Sequence, residues 1–246
     1  MARNGSPPTV NLLYSTDAET WNTFTVGSTT VTLAHAGDKV WFKAGPGGNT
    51  RLGSGDNSQN YFVMTGKLAG SGSILSLLDE TEGNITQLES TRSYTFIRLF
   101  WNCTALQSFA YDDFPSIPIY AQAAIRGVFE NTSIKAAPRL DISVVSRQCC
   151  DWMFYNCHSL TAVPPILPAT TTAQNCYSRM FSNCTALSSA AEMILPATGQ
   201  AGIGSYESMF NGCVSLTAAP YFKNSSLNNG TGYSYKEMFR DCSCLA

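Results

Sequence analysis

The stretch Cys176-Tyr177-Ser178-Arg179-Met180-Phe181-Ser182-Asn183-Cys184-Thr185-Ala186-Leu187 decides the reading of this chain, because its skeleton recurs six times. The copies are Leu99-Phe100-Trp101-Asn102-Cys103, Val128-Phe129-Glu130-Asn131-Thr132, Met153-Phe154-Tyr155-Asn156-Cys157, Met180-Phe181-Ser182-Asn183-Cys184, Met209-Phe210-Asn211-Gly212-Cys213 and Met238-Phe239-Arg240-Asp241-Cys242. A period of 25–29 residues from Phe to Phe is the mark of units that stack on one another and act through an extended surface.

Within each copy the Phe is preceded at −1 and −4 by apolar or aromatic residues, as in Phe96/Leu99/Phe100 and Tyr177/Met180/Phe181. That i, i+3, i+4 spacing predicts one or two helical turns. Two residues after the Phe stands Asn102, Asn131, Asn156, Asn183, Gly212 or Asp241. These residue types tolerate left-handed backbone and would end the helix. A Leu or Ile follows (Leu106, Ile134, Leu160, Leu187, Leu216, Leu245), opening a short extended stretch that Pro138, Pro164 or Pro220 closes. The predicted fold class is therefore an α/β solenoid. Short parallel strands and short helices stack over residues 91–246, behind a small antiparallel β domain over residues 1–90.

That domain is predicted from alternation in Val10–Tyr14, Trp21–Val26, Thr29–Leu33 and Lys39–Lys43, with further apolar runs at Tyr61–Met64 and Ile74–Leu78. Its expected role is to cap the first coil or to attach the molecule to a particle.

Five of the nine cysteines (Cys103, Cys157, Cys184, Cys213, Cys242) share one slot, which Thr132 fills in the second copy. This pattern predicts an interior column of reduced thiols acting as small hydrophobes, without disulfides, metal or cofactor. Cys149, Cys150, Cys176 and Cys244 are less constrained; a Cys149–Cys176 contact and a reactive Cys242/Cys244 pair stay open.

The phrase from Cys176 to Leu187, with Leu-Pro-Ala-Thr between copies, resembles the BspA-like leucine-rich repeat proteins of gut bacteria and their phages. The resemblance covers about residues 94–246. It implies a surface-exposed protein and supports a capping role for the N-terminal region. No capping sequence follows Leu245, so the last coil is expected to meet a partner, or another copy in a homo-oligomer.

Charged residues are only 13% of the chain and the net charge is −2, which excludes an electrostatic footprint for nucleic acid. No apolar run approaches the roughly 20 residues of a membrane span, and the N-terminus lacks a secretory signal. His35 lies in a turn, and His158 occupies a slot shared with Thr104, Ser133, Thr185, Val214 and Ser243. No catalytic triad, phosphate loop or zinc signature occurs. Asp112/Asp113 and Asp79/Glu80/Glu82 read as loop charges, with a calcium site as the competing reading.

Variation on a fixed skeleton then points to recognition. Alternation from the Leu slot places Tyr111, Arg139, Glu192 and Tyr221 on an outward column by the proline corner. Phe109 and Lys135 fall on the two columns before it. These are the residue types that anchor interfaces. The expectation is a non-catalytic binding or assembly module, not an enzyme. It would be a phage virion protein that decorates a capsid or tail or contacts other virion proteins, a host-surface glycan or a host protein. A bacterial cell-surface or secreted adhesin is the alternative.

Overall fold

The computed structural model describes residues 1–79, 84–110, 114, 116–167, 169, 172–195, 202–222 and 232–245. Two three-stranded antiparallel sheets form first. In one, β2 (Leu12–Ser15) lies between β3 (Asn22–Phe24) and β4 (Trp41–Ala44); in the other, β6 (Ser58–Tyr61) lies between β1 (Ala2–Asn4) and β5 (Gly53–Gly55). The register Leu12↔Phe24 and Leu12↔Ala44 sets three buried side chains side by side. Ile74–Leu77, expected as strand, is instead a 3₁₀ turn, with the Ser73 hydroxyl accepting from the Leu75 N–H as its N-cap. No strand forms over Thr29–Leu33.

The expected α/β solenoid is not what the chain builds. Among the described residues there is no α-helix, and the regular helical structure amounts to two 3₁₀ turns, Ile74–Leu77 and Ser90–Arg92. Nor is there a continuous parallel sheet. Among the described residues two small parallel pairs form, β7 (Leu68–Gly70), which precedes the repeats, with β8 (Leu106–Phe109) of the first copy, and β9 (Ile194–Leu195) with β10 (Tyr221–Phe222), besides isolated bridges such as Ala136↔Ala162 and Ser189↔Ala218.

The backbone explains why the helix fails. In every copy each fourth residue has positive φ: Tyr94, Arg98 and Asn102 in the first, Gln148, Trp152 and Asn156 in the third, Gly204, Ser208 and Gly212 in the fifth. A left-handed residue every four positions forbids the i→i−4 ladder. Alternate N–H groups instead close tight turns within the copy, Ile97 to Tyr94, Leu99 to Phe96, Trp101 to Arg98 and Cys103 to Phe100.

The remaining N–H groups leave the copy altogether. Those of Tyr94, Phe96, Arg98, Phe100 and Asn102 donate to the carbonyls of Gln122, Ala124, Arg126, Val128 and Glu130 at 2.7–3.0 Å. The pattern repeats at each later interface, with Phe129 donating to Met153, Phe154 to Met180, Phe181 to Met209 and Phe210 to Met238. Each left-handed non-glycine residue costs about 1–2 kcal/mol. The inter-copy bonds offset that cost by satisfying backbone groups that would otherwise be buried unpaired.

Side chains stack with the same repeat. The rings of Phe100, Phe129, Phe154, Phe181, Phe210 and Phe239 follow one another at 5.4–5.6 Å with interplanar angles of 1–15°. Tyr177, Tyr206 and Tyr235 form a second column at 5.4–5.8 Å. The cysteine slot forms a third, in which Cys157, Cys184, Cys213 and Cys242 donate their thiols to the carbonyls of Phe129, Phe154, Phe181 and Phe210 at 3.0–3.2 Å. All nine cysteines are free thiols. The left-handed slot after each Phe carries its own bonds, Asn131 Nδ2 to Asn102 Oδ1 and Asn183 Nδ2 to Asn156 Oδ1. At Gly212 (φ +73°) a Cβ would sit 2.2 Å from Asn183 Oδ1, so a larger residue there requires the Asn183 amide to turn aside.

The N-terminal sheets meet the first copy by imitating a copy. Phe62 stacks on Phe100 at 5.6 Å, its N–H donates to the Leu99 carbonyl at 2.8 Å, and its carbonyl accepts the Cys103 thiol. The Leu52 N–H likewise meets the Thr95 carbonyl at 2.8 Å. One apolar core runs without a break from Val10 to Met238.

Candidate functional site

The residues singled out from sequence do not share one face. Tyr111 lies outside the described residues, as do Asp112, Asp113, Glu80 and Glu82 and the corner residues Pro168, Thr170 and Pro196–Thr198. Phe109 is buried among Phe100, Phe114 and Phe129, with the Phe129 ring 5.4 Å away, and is not on an outward column. Arg139 is exposed and paired with Asp141. Glu192 and Lys135 are exposed; the Lys135 N–H and carbonyl are spent on Gln107 and Thr161. Tyr221, 61% exposed, starts β10.

Period-two alternation fails after the Leu slot, where the later copies make bridges or two-residue pairs and burial even in β8 falls on Leu106 and Phe109. Burial in the second copy falls on Ile134, Ala137, Pro138 and Leu140, and in the fourth on Leu187, Ala190 and Met193. That is a step of three, not the step of two that places alternate strand residues on one face.

A different flank of the stack gathers the charged and aromatic side chains. The slots at −3, −2 and +1 from the Phe carry Arg98 and Trp101, then Arg126 and Glu130, then Asp151, Trp152 and Tyr155, then Arg179, then Glu207. Arg98 Nε lies 2.8 Å from Glu130 Oε2, and its Nη1 donates to the Asp56 carbonyl at 3.0 Å. Arg126 pairs with the Asp56 carboxylate and holds its Nε 2.9 Å from Asp151 Oδ2. The contact is an ion pair, and neither Arg126 Nε nor Asp151 Oδ1 has a hydrogen-bond partner.

Both guanidiniums lie over indole. Arg98 is 5.6 Å from the Trp101 ring and 5.5 Å from that of Trp152, and Arg126 is 4.9 Å from Trp152. Trp152 stacks on Tyr155 at 5.5 Å, and Tyr61 meets Trp101 edge-on at 5.3 Å. The Trp152 Nε1 donor is buried without an acceptor. Burial pushes the Asp151 carboxyl up to about 7 against the pull of Arg126 and Arg179, and burial also raises Glu130 against Arg98.

What this flank can do is bind. It offers partly exposed Trp, Tyr and Arg faces. No single residue of it stands out in sequence. The signal that could have found it is the concentration of Trp101, Trp152, Arg98 and Arg126 into the first three copies, at positions flanking the skeleton.

Elsewhere the groups needed for chemistry are dispersed. His35 is exposed beside Asp38, and His158 is exposed with Nδ1 3.4 Å from the Thr185 hydroxyl. Burial pushes the thiol of Cys157 up to about 11 and those of Cys103 and Cys213 up to about 12, away from nucleophilic thiolate. Among the described residues no group of three or more His, Cys, Asp or Glu is placed to hold a metal ion, and no helix is long and apolar enough to cross a membrane. Compared with models of protein families, with curated proteins and with solved structures, the chain has no match.

Proposed function

We propose that this protein is a non-catalytic binding and assembly module displayed on a surface, and that the Trp101–Arg98–Trp152–Arg126 flank is where it meets its ligand. The observation that carries this reading is the clustering of two indoles, two tyrosines and two arginines on one flank, braced from behind by Glu130 and Asp151. Such residues anchor interfaces because each offers a large, stiff contact face at little entropic cost. The thiols of the repeat column support the same reading, because burial raises those of Cys103, Cys157, Cys184 and Cys213 above the ordinary thiol range and away from the reactive thiolate. The virion setting rests on the resemblance of the repeat phrase, and the partners that go with it are other particle proteins or a host-surface glycan.

The test is a glycan array together with purified outer-surface proteins of candidate host bacteria, probed with the intact chain and with the variants Trp101→Ala and Tyr155→Ala. Binding without turnover, weakened at least tenfold in both variants with unchanged circular dichroism, is expected. Release of a cleaved product, or binding indifferent to both substitutions, would overturn the proposal.

A further inference from the structure

The charged side chains of the Trp101–Trp152 flank have their partners within the protein. Arg98 is paired with Glu130, Arg126 with Asp56 and Asp151, and Arg179 with Glu207. Of the acids, Glu130 and Asp151 are buried. A charged partner therefore finds little on this flank to complement. Its middle is also filled. The second copy alone carries glycine, Gly127, in the slot that holds Arg98, Trp152, Arg179, Ser208 and Glu237 in others. Arg98 lies across that glycine, since a Cβ on Gly127 would sit 3.1 Å from Arg98 Cγ and 2.9 Å from Glu130 Oε2. The guanidinium thereby reaches Trp152, two copies on, at 5.5 Å.

Beside this surface runs a row of amides. Asn102, Asn131, Asn156 and Asn183 hold the slot that follows Trp101 and Tyr155 in the chain, one in each successive copy. Asn102 is exposed and the other three are half-buried. They bond in two pairs, Asn131 Nδ2 to Asn102 Oδ1 at 2.7 Å and Asn183 Nδ2 to Asn156 Oδ1 at 3.0 Å. Each pair leaves one amide NH2, of Asn102 or Asn156, and one amide oxygen, of Asn131 or Asn183, without a partner among the described residues. An apolar partner laid over the row would strand both groups. Hydroxyls, each donor and acceptor at once, would satisfy both.

We infer that the ligand of this flank is an uncharged, extended β-linked polysaccharide lying along the stack, with sugar rings against Trp101 and Tyr155 and hydroxyls on the asparagine row. This deepens the binding reading above and rests on it. It names the class of ligand, and the charge balance and the amide row carry it.

The spacing agrees. Trp101 and Tyr155 occupy the same slot two copies apart, in copies whose rings step by 5.6 and then 5.4 Å, with the buried Glu130 between them. A sugar in an extended β-linked chain advances that chain by roughly one such step. Every second ring, presenting the same face each time, therefore comes to an aromatic side chain, whose apolar body suits the C–H face of a sugar. The unused amide groups recur with the same two-copy interval. A disaccharide meets one aromatic; a longer chain meets both, the second at high effective concentration.

The experiment titrates the intact chain in a calorimeter with cellohexaose and chitohexaose, with cellobiose and chitobiose, and with hexamannuronate as a charged β-linked counterpart. The expected result is that at least one neutral hexasaccharide binds, at least tenfold tighter than its disaccharide and than hexamannuronate, with an affinity that salt barely changes. Asn102→Asp and Asn156→Asp replace the unused NH2 with oxygen while keeping an acceptor for the neighbouring amide. Both suit this left-handed slot, which Asp241 fills in the last copy. Each should weaken hexasaccharide binding at least fivefold with unchanged circular dichroism. No binding of either neutral hexasaccharide, equal affinity for hexamer and disaccharide, or indifference to both substitutions would overturn the inference. A surface protein that binds through Trp101 and Tyr155 while both hexasaccharides fail would overturn it too, yet leave the flank as the binding site. Hexasaccharide binding indifferent to Trp101→Ala and Tyr155→Ala would instead overturn both readings.

Discussion

The two ends of the stack are built on the same slots and end in opposite ways. At the first copy a ring, a backbone donor and a backbone acceptor are supplied from outside the repeats by Phe62, and Phe100 is 6% exposed. At the last copy none of the three is supplied by the described residues, and Phe239 is half-buried. The lesson is that a repeat of this kind carries no intrinsic stop. Each copy satisfies its neighbour rather than itself, so stability should rise toward the middle and fall wherever a neighbour is lacking.

Substitution of the column phenylalanines tests this most directly. Phe154→Ala or Phe181→Ala, each removing a fully buried ring stacked on both faces, should cost about 3–5 kcal/mol in urea unfolding. Phe239→Ala should cost only about 1 kcal/mol. Equal losses would mean that the last copy is as well packed as the interior. Phe62→Ala ranks next, at about 3 kcal/mol. Its signature is local: the Cys103 thiol, bonded to the Phe62 carbonyl and held near pKa 12 by burial, should become open to alkylation while Cys184 stays inert.

How far the sequence revealed this architecture follows from which residues had a choice. The Phe, Cys and Leu columns were legible because every copy fills them with similar side chains. The left-handed slot at Asn102, Asn131, Asn156, Asn183, Gly212 and Asp241 was legible because those residue types tolerate positive φ, and all six have it. What it closes is a turn, however, and not a helix. Two further left-handed slots per copy stayed hidden because tertiary bonds hold residues such as Tyr94, Arg98, Trp152 and Arg179 where propensity would not place them. Without those slots, i, i+3, i+4 spacing is indistinguishable from a helical face. The Arg–Trp flank was hidden for a related reason, since its members come from different slots of different copies.

A pH series separates the acid-bearing front of the stack from the rest. Asp151 faces Arg126, Arg179 and Ser178, and its carboxyl is raised by burial from an ordinary value near 3.8 to about 7. A folded-state acid raised in this way contributes stability that is fully present below its unfolded pKa and is lost as pH rises through the folded one. Stability should therefore decline between about pH 4 and pH 7. Asp151→Asn should flatten that decline, measured as the urea midpoint at each pH. A profile unchanged by the substitution would remove Asp151 as its source.

The smallest difference concerns the cysteine slot. Cys184 is fully buried, and its thiol donates to the Phe154 carbonyl, which also accepts the Cys157 N–H. Loss of the thiol bond therefore leaves no orphaned acceptor. The second copy already holds a hydroxyl in this slot, with Thr132 Oγ1 donating to its own Phe129 carbonyl at 2.9 Å. Cys184→Ser should thus keep a bonded donor and cost about 1 kcal/mol, the transfer of a slightly more polar atom into a dry column. Cys242→Ser, at the half-buried end, should fall within about 0.5 kcal/mol of the parent. Were the end substitution the costlier of the two, the last copy would have to be covered in solution, and the contrast between the two ends would vanish.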